Sequence, residues 1–136
     1  ETVFAAASPL YLARNPVADG LADLSGHVRL GMEPGRHNWY DWPSWFKAVD
    51  KPMPARPRML EFNAYAMLIN AALAGQGLCL CWSGLLDSFL ETGALVRLSG
   101  PEAHSNRGYI MAPREPGKPR AAVDKVFSWI VAQSAG

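Results

Sequence analysis

Asn63-Ala64-Tyr65-Ala66-Met67-Leu68-Ile69-Asn70-Ala71-Ala72-Leu73-Ala74-Gly75-Gln76-Gly77-Leu78-Cys79-Leu80-Cys81-Trp82 is the stretch whose reading decides the fold. Ala64 to Ala74 is dominated by strong helix formers, and Asn63 has the short polar side chain suited to an N-cap. The helix is apolar on most sides, which predicts deep burial. Gly75-Gln76-Gly77 stops it, with Gly75 suited to the left-handed position just past a helix. Leu78 to Trp82 is then a continuous apolar run of strand length.

The same alternation extends in both directions. Upstream, Val3 to Ala7 reads as a short buried strand. Ser8-Pro9 follows as N-cap and first helical residue of a short helix through Leu10, Tyr11 and Leu12. Leu21 to Leu24 has room for a helical turn at most, and His27 to Met32 alternates as a strand with one buried face. Trp42, Trp45, Phe46 and Val49 fall on one helical face. Pro43 is tolerated only in a first turn, so that helix is expected to start near Tyr40 to Trp42. Prolines at 52, 54 and 57 make an extended connector, and Arg58 to Phe62 reads as a strand.

Downstream, Ser83 or Gly84 opens a helix over Leu85 to Glu91, and Gly93 ends it. Leu95 to Leu98 is a strand, Gly100 to Asn106 a polar loop, and Arg107 to Ala112 another strand. Ala121 to Gln133 closes the series as an amphipathic helix carrying Val123, Val126, Phe127, Ile130 and Val131. Strands alternating with helices predict an α/β fold with a mainly parallel sheet.

Composition narrows the function classes. The 136 residues are 49% hydrophobic and 18% charged, enough to build a core. A formal net charge of +1 is too balanced for a surface that grips nucleic acid by its phosphates. No apolar run reaches the roughly eighteen residues of a spanning helix, so no membrane partner is expected. No basic leader precedes Val3-Phe4, so a secretory signal is not expected either. Cys79 and Cys81 fall on one face of a strand, where a disulfide would be strained; they read as packed thiols, which fits a cytoplasmic protein. No Gly-x-Ser-x-Gly elbow surrounds Ser83, and His27, His37 and His104 show no metal-ligand spacing. The glycines at 75 and 77 precede a strand, which excludes a dinucleotide loop. No enzyme, metal or cofactor is expected.

The order and wording of these segments resemble the regulatory domain of LysR-type transcription regulators. The likeness is carried by Val3 to Leu12, Leu21 to Leu24, Phe62 to Tyr65, Ala71 to Leu78, Leu86-Asp87, Gly93 to Val96 and Phe127 to Ile130. Its most specific elements are Ser8-Pro9 with Tyr11-Leu12, and Ala71 to Gly77. It looks nearest to the subgroup that includes the activator of glycine-cleavage genes. The resemblance implies a periplasmic-binding-protein-like two-lobe α/β fold, and a fragment without the DNA-binding domain or the first part of the regulatory domain. On that reading residues 1–7 cross from the first lobe, 8–94 form the second lobe, and 95–136 return to finish the first. It implies a small-molecule effector in the interlobe cleft, and pairing of regulatory domains into a homo-oligomer. DNA contact would come only through an absent N-terminal winged helix-turn-helix. The alternative is a solute-binding protein of a transport system, which shares the two-lobe architecture.

Ligands of open α/β sheets lie beyond the carboxyl ends of the strands, where helix N-termini offer unpaired N–H groups. That places Phe62, Asn63, Ala64 and Tyr65 as ligand contacts through backbone N–H groups and the Asn63 amide, with Asn63 equally readable as a structural cap. Ser8 stands at another strand-to-helix junction, where a plain N-cap explains it as well. Trp82 ends a strand and is positioned to line a cleft floor. Trp39 and Trp42 follow the His27 to Met32 strand, as an apolar wall, a cation–π cage for a quaternary ammonium group, or core packing. Arg36 and His37, in the same loop, are candidate partners of an anionic effector. An amino acid, a quaternary ammonium compound and an aromatic acid all remain compatible, that is, a carboxylate or amine metabolite.

Overall fold

A computed structural model of the chain describes residues 1–18, 21, 24–35, 39–54, 58–107, 111–112 and 121–133. The chain divides into two compact units, Glu1–Asn106 and Arg107–Gly136.

The first unit is a single twisted sheet assembled from two pieces. β1 (Thr2–Ala7) pairs antiparallel with β4 (Cys79–Trp82) along one edge. Its other edge takes β5 (Val96–Arg97) and β6 (Ala103–His104), also antiparallel. β2 (Val28–Met32) and β3 (Arg58–Phe62) form a parallel pair in which Val28 faces Arg58 and Met32 faces Phe62. The two pieces join where Leu30 N donates to Leu78 O at 2.8 Å and Leu78 N donates to Val28 O at 2.9 Å. That seam gives the order β3-β2-β4-β1, with β5 and β6 beyond.

The expectation of a mainly parallel sheet is therefore corrected: β1 opposes every neighbour it pairs with. Between β1 and β2 stand α1 (Pro9–Leu12) and the loop that follows it. β2, β3 and β4 run one way and β1 runs the other, because β1 is paired antiparallel to β4 while β4 lies parallel to β2 at Leu78.

Alternation along β1 sorts the core into two layers. Val3, Ala5 and Ala7 pack with Leu78, Leu80 and the α2 residues Trp42, Trp45 and Phe46. Phe4 and Ala6 pack with Cys79, Cys81 and the α3 residues Leu68, Ile69, Ala71 and Ala72. Helix α2 (Trp42–Ala48) begins where Pro43 requires, with Asp41 as N-cap accepting from Ser44 N at 2.8 Å in a capping box. Its two buried indoles act as hooks: Trp42 Nε1 donates to Leu30 O and Trp45 Nε1 to Val3 O, each at 2.9 Å. One helix thus pins a strand from each piece of the sheet.

Helix α3 (Tyr65–Leu73) departs from expectation at its start. Its N-cap is Ala64, with no side-chain cap bond, so Asn63 is not the cap. Nor is α3 deeply buried all round: Met67 is 56% exposed, on the side of the helix turned from the sheet-facing Leu68, Ile69, Ala71 and Ala72. Gly75 has φ +76°, as its position past the helix requires, and Gly93 has φ +71° past α4 (Asp87–Glu91). Helix α4 starts later than the sequence suggests, because Gly84 is in the left-handed region at φ +83° and its N–H donates to Asp87 Oδ1 at 3.0 Å. The polar stretch 100–106 contains β6, a two-residue strand too short to show a period.

In the second unit, α5 (Ala121–Gln133) has the predicted bounds and no buried residue. Of the strand expected over Arg107 to Ala112, Gly108 to Ile110 lie outside the described residues, and Met111 and Ala112 are not strand. Ala22 and Asp23 of the expected turn are likewise outside them.

The seam between the sheet pieces requires a residue without a side chain. A Cβ on Gly77 would lie 2.7 Å from Val28 O and 3.0 Å from the Leu30 side chain. Gly77→Ala is expected to lose about 1–3 kcal/mol of stability by overpacking against backbone. A urea midpoint lowered at unchanged slope would show it.

Candidate functional site

The strand directions decide which residues share an end of the sheet. β2, β3 and β4 all finish at the edge marked by Met32, Phe62 and Trp82. β1 starts there, with Val3 opposite Trp82. Three aromatic side chains from separate elements meet at this edge: Trp39 from the loop before α2, Tyr65 from the first turn of α3, and Trp82 from the end of β4. Their ring centroids lie 5.5 Å (Tyr65–Trp82), 6.2 Å (Trp39–Tyr65) and 6.3 Å (Trp39–Trp82) apart. Interplanar angles of 83°, 72° and 60° make each contact edge-to-face, the arrangement the aromatic quadrupole favours.

Two rings have their polar atoms engaged. Tyr65 Oη donates to Leu80 O at 3.1 Å, and Trp82 Nε1 donates to Glu1 Oε1 at 2.6 Å. The second Glu1 oxygen accepts from Ser105 Oγ at 2.5 Å. Burial drives the Tyr65 hydroxyl well above its usual range, with the thiols of Cys81 and Cys79 adding to the effect. Trp39 is 46% exposed and forms the open side of the cluster.

Of the residues singled out in the sequence, the structure brings Trp39, Tyr65 and Trp82 into contact. Phe62 is half-buried at the same edge, packed against the α3 layer, and Asn63 and Ala64 link it to Tyr65. Trp42 is in the core, 1% exposed, its indole committed to Leu30 O. Ser8 is at the other end of the sheet, because β1 runs away from the cluster; five residues beyond Val3 carry it roughly 17 Å. There Ser8 caps α1, its Oγ accepting from Tyr11 N at 3.4 Å. Arg36 and His37 lie outside the described residues. Cys79 and Cys81 are free thiols buried in β4, with Sγ atoms 3.6 Å apart. The hydrogen bond between them, then burial, raises the Cys79 thiol well above its normal range. Among the described residues no group of three or more His, Cys, Asp or Glu is placed to hold a metal ion. None of the described helices is long and apolar enough to cross a membrane.

Sequence reading missed Arg29. Val28, Leu30 and Met32 pack on the α3 side, so Arg29 points into the α2 layer. It is 0% exposed, and its three guanidinium nitrogens have no hydrogen-bond partner among the described residues. Burial lowers its pKa. A charged residue in an alternating strand ordinarily marks the solvent face, so the pattern gave no warning.

Strands and helices covering both faces of the sheet make the first unit an α/β module. The family profile of the LysR substrate binding domain matches residues 1–135, and the chain belongs to that family. It is the effector-binding domain of a LysR-type transcription regulator, and not an enzyme. It is 28% identical over 96 residues to the HTH-type transcriptional activator AmpR of Rhodobacter capsulatus, covering 70% of this chain and 32% of that protein. The chain thus spans about a third of this curated relative. The effector domain of AmpR from Pseudomonas aeruginosa shares the fold, with TM-score 0.64 at 20% identity over 98% of this chain and 62% of that one. The regulatory domain of CrgA from Neisseria meningitidis has TM-score 0.55 at 28% identity, covering 71% of this chain and 46% of that one.

Two outcomes follow from these side chains. Replacing an unpartnered buried charge by an apolar side chain of similar length removes its desolvation cost, so Arg29→Met is expected to be neutral or to stabilise by up to about 4 kcal/mol. Destabilisation in a denaturant titration would show that the guanidinium is paired in solution. A tyrosine whose folded pKa lies above its unfolded value of about 10 keeps its proton longer when folded. The folded state then binds more protons than the unfolded one above that pH, and stability declines as pH rises, by up to about 1.4 kcal/mol per unit. Tyr65→Phe is expected to cost about 1 kcal/mol at neutral pH and to flatten this alkaline decline. Parallel stability–pH curves for both proteins would refute it.

Proposed function

We propose that the effector is held at the edge where β2, β3 and β4 end, against Trp39, Tyr65 and Trp82. The observation that carries this reading is the convergence of three rings from three elements separated in sequence, at the end of the sheet where α/β folds hold ligands. The N-terminal turn of α3, with Phe62, Asn63 and Ala64 leading into it, would supply the backbone N–H groups and amide that orient a polar group. The exposed Asn63 side chain makes no cap bond, which leaves it available for this purpose.

In the whole regulator, residues 8–94 would be the second lobe, with 1–7 and 95–136 passing to and completing the first, and the opposite lobe would close over the rings. Effector binding would then modulate the activity of a homo-oligomer bound to DNA through an N-terminal winged helix-turn-helix, in the cytoplasm. The elements at Ser8 to Leu12 and Ala71 to Gly77 support a place near the subgroup of the glycine-cleavage activator. The effector would be a small carboxylate or amine.

A thermal-shift screen of small carboxylates and amines on the complete two-lobe domain would supply a ligand for the test. Trp39→Ala and Asn63→Leu, both at exposed positions, are expected to move the effector dose–response of a reporter at least about tenfold. Operator affinity of the full-length protein should change little. Unaltered dose–response curves would reject this placement.

A further inference from the structure

We infer that the site takes a cation, an alkylated ammonium group, rather than a carboxylate; this rests on the placement proposed above and adds the chemical class of its ligand. The first support is what the rings leave available. The Tyr65 hydroxyl and the Trp82 indole N–H are both spent on Leu80 O and Glu1, so these two rings offer π faces and edges but no donor to an anion. A ring face attracts cations and disfavours anions. A carboxylate accepting from the indole N–H also leaves the Trp82 ring richer in electrons.

The second support is the distribution of charge along the sheet. Glu1 holds a carboxylate against Trp82, fixed by two hydrogen bonds. Glu33 follows β2, its N–H on Phe62 O at 2.9 Å, and Glu61 precedes the last residue of β3. Asp41 and Asp87 open the helices that leave this region. The described arginines of the first unit lie toward the other end: Arg29 and Arg58 near the starts of β2 and β3, Arg14 beyond α1, and Arg97 opposite Ala6, ion-paired to Glu102 and 4.1 Å over the Phe4 ring. His104 is at the ligand end, its ring nitrogen hydrogen-bonded with Thr2 Oγ1 at 3.2 Å.

Two features oppose a cation. The Glu1 ammonium, which donates to Ser105 O at 3.0 Å, offsets the carboxylate of the same residue. The N-terminus of α3 carries a partial positive charge of about half a unit, felt only within its first turn. The Glu1 carboxylate, however, is the group in direct contact with the Trp82 ring, and the ring quadrupoles act in the same sense. The balance favours a soft, weakly hydrated cation such as a trimethylammonium head, which gives up less hydration than a primary ammonium and spreads its contact over several rings.

The test uses the full-length regulator with indole N–H resonances assigned, titrated with choline, with its uncharged tert-butyl isostere, and with acetate. Choline is expected to saturate shifts of the Trp39 and Trp82 signals, with the isostere roughly tenfold weaker and acetate inert. Trp39→Ala should abolish choline binding, Trp39→Phe should restore most of it, and Glu1→Gln should weaken it severalfold without moving the melting temperature. Equal affinity for choline and its isostere would overturn the inference, since apolar contact alone would suffice. Saturation by acetate but not choline would overturn it while leaving the site in place. Indifference of both indoles to every probe would overturn it, and the reporter experiment above would then decide separately on the site.

Discussion

The structure depends on one close approach of two backbones. At Gly77-Leu78 the chain leaves α3 and enters β4 alongside β2, and two hydrogen bonds weld the parallel β2–β3 pair to the antiparallel strands around β1. A Cβ at Gly77 would lie 2.7 Å from the Val28 carbonyl oxygen, closer than such contacts allow. The seam is short, and α2 reinforces it from above: Trp42 holds β2 and Trp45 holds β1, each through an indole N–H given to a backbone carbonyl. A buried indole needs such a partner, and here satisfying it also clamps the two pieces.

From that seam the location of the aromatic cluster follows. Welding β4 beside β2 in the same direction makes β2, β3 and β4 finish together, and this gathers Phe62, Tyr65 and Trp82. Trp39 joins them because the loop after β2 must return over the same edge to start α2. The direction of β1 has the opposite consequence for Ser8. Ser8 follows a strand that runs away from the three rings, so its strand-to-helix junction falls at the other end of the sheet.

Much of this was legible in the residues. Pro43 confines the start of α2, Gly75 marks the end of α3, and the apolar stripe of α5 gives its bounds, because each reports a local constraint that tertiary packing does not alter. Trp39, Tyr65 and Trp82 were recognisable as end-of-strand aromatics. Strand direction was not, since alternation looks the same read either way. Asn63 resembles a cap by composition, but the turn enters α3 one residue later. Arg29 has the alternation of a solvent-facing residue, and only the presence of α2 over that face buries it.

The three rings differ in their exposure and in the hydrogen bonds made by their polar atoms, and the cluster is accordingly uneven. Tyr65 and Trp82 are each tied by ring contacts and by a hydrogen bond, to Leu80 in the sheet and to Glu1 beside it. Trp39 is nearly half exposed and meets the other two edge-to-face, contacts worth about 0.5–1.5 kcal/mol each. Displacing either of the first two would break a hydrogen bond to the rest of the sheet as well as expose apolar area. Trp39 is the most exposed of the three rings, and the cluster is open on its side.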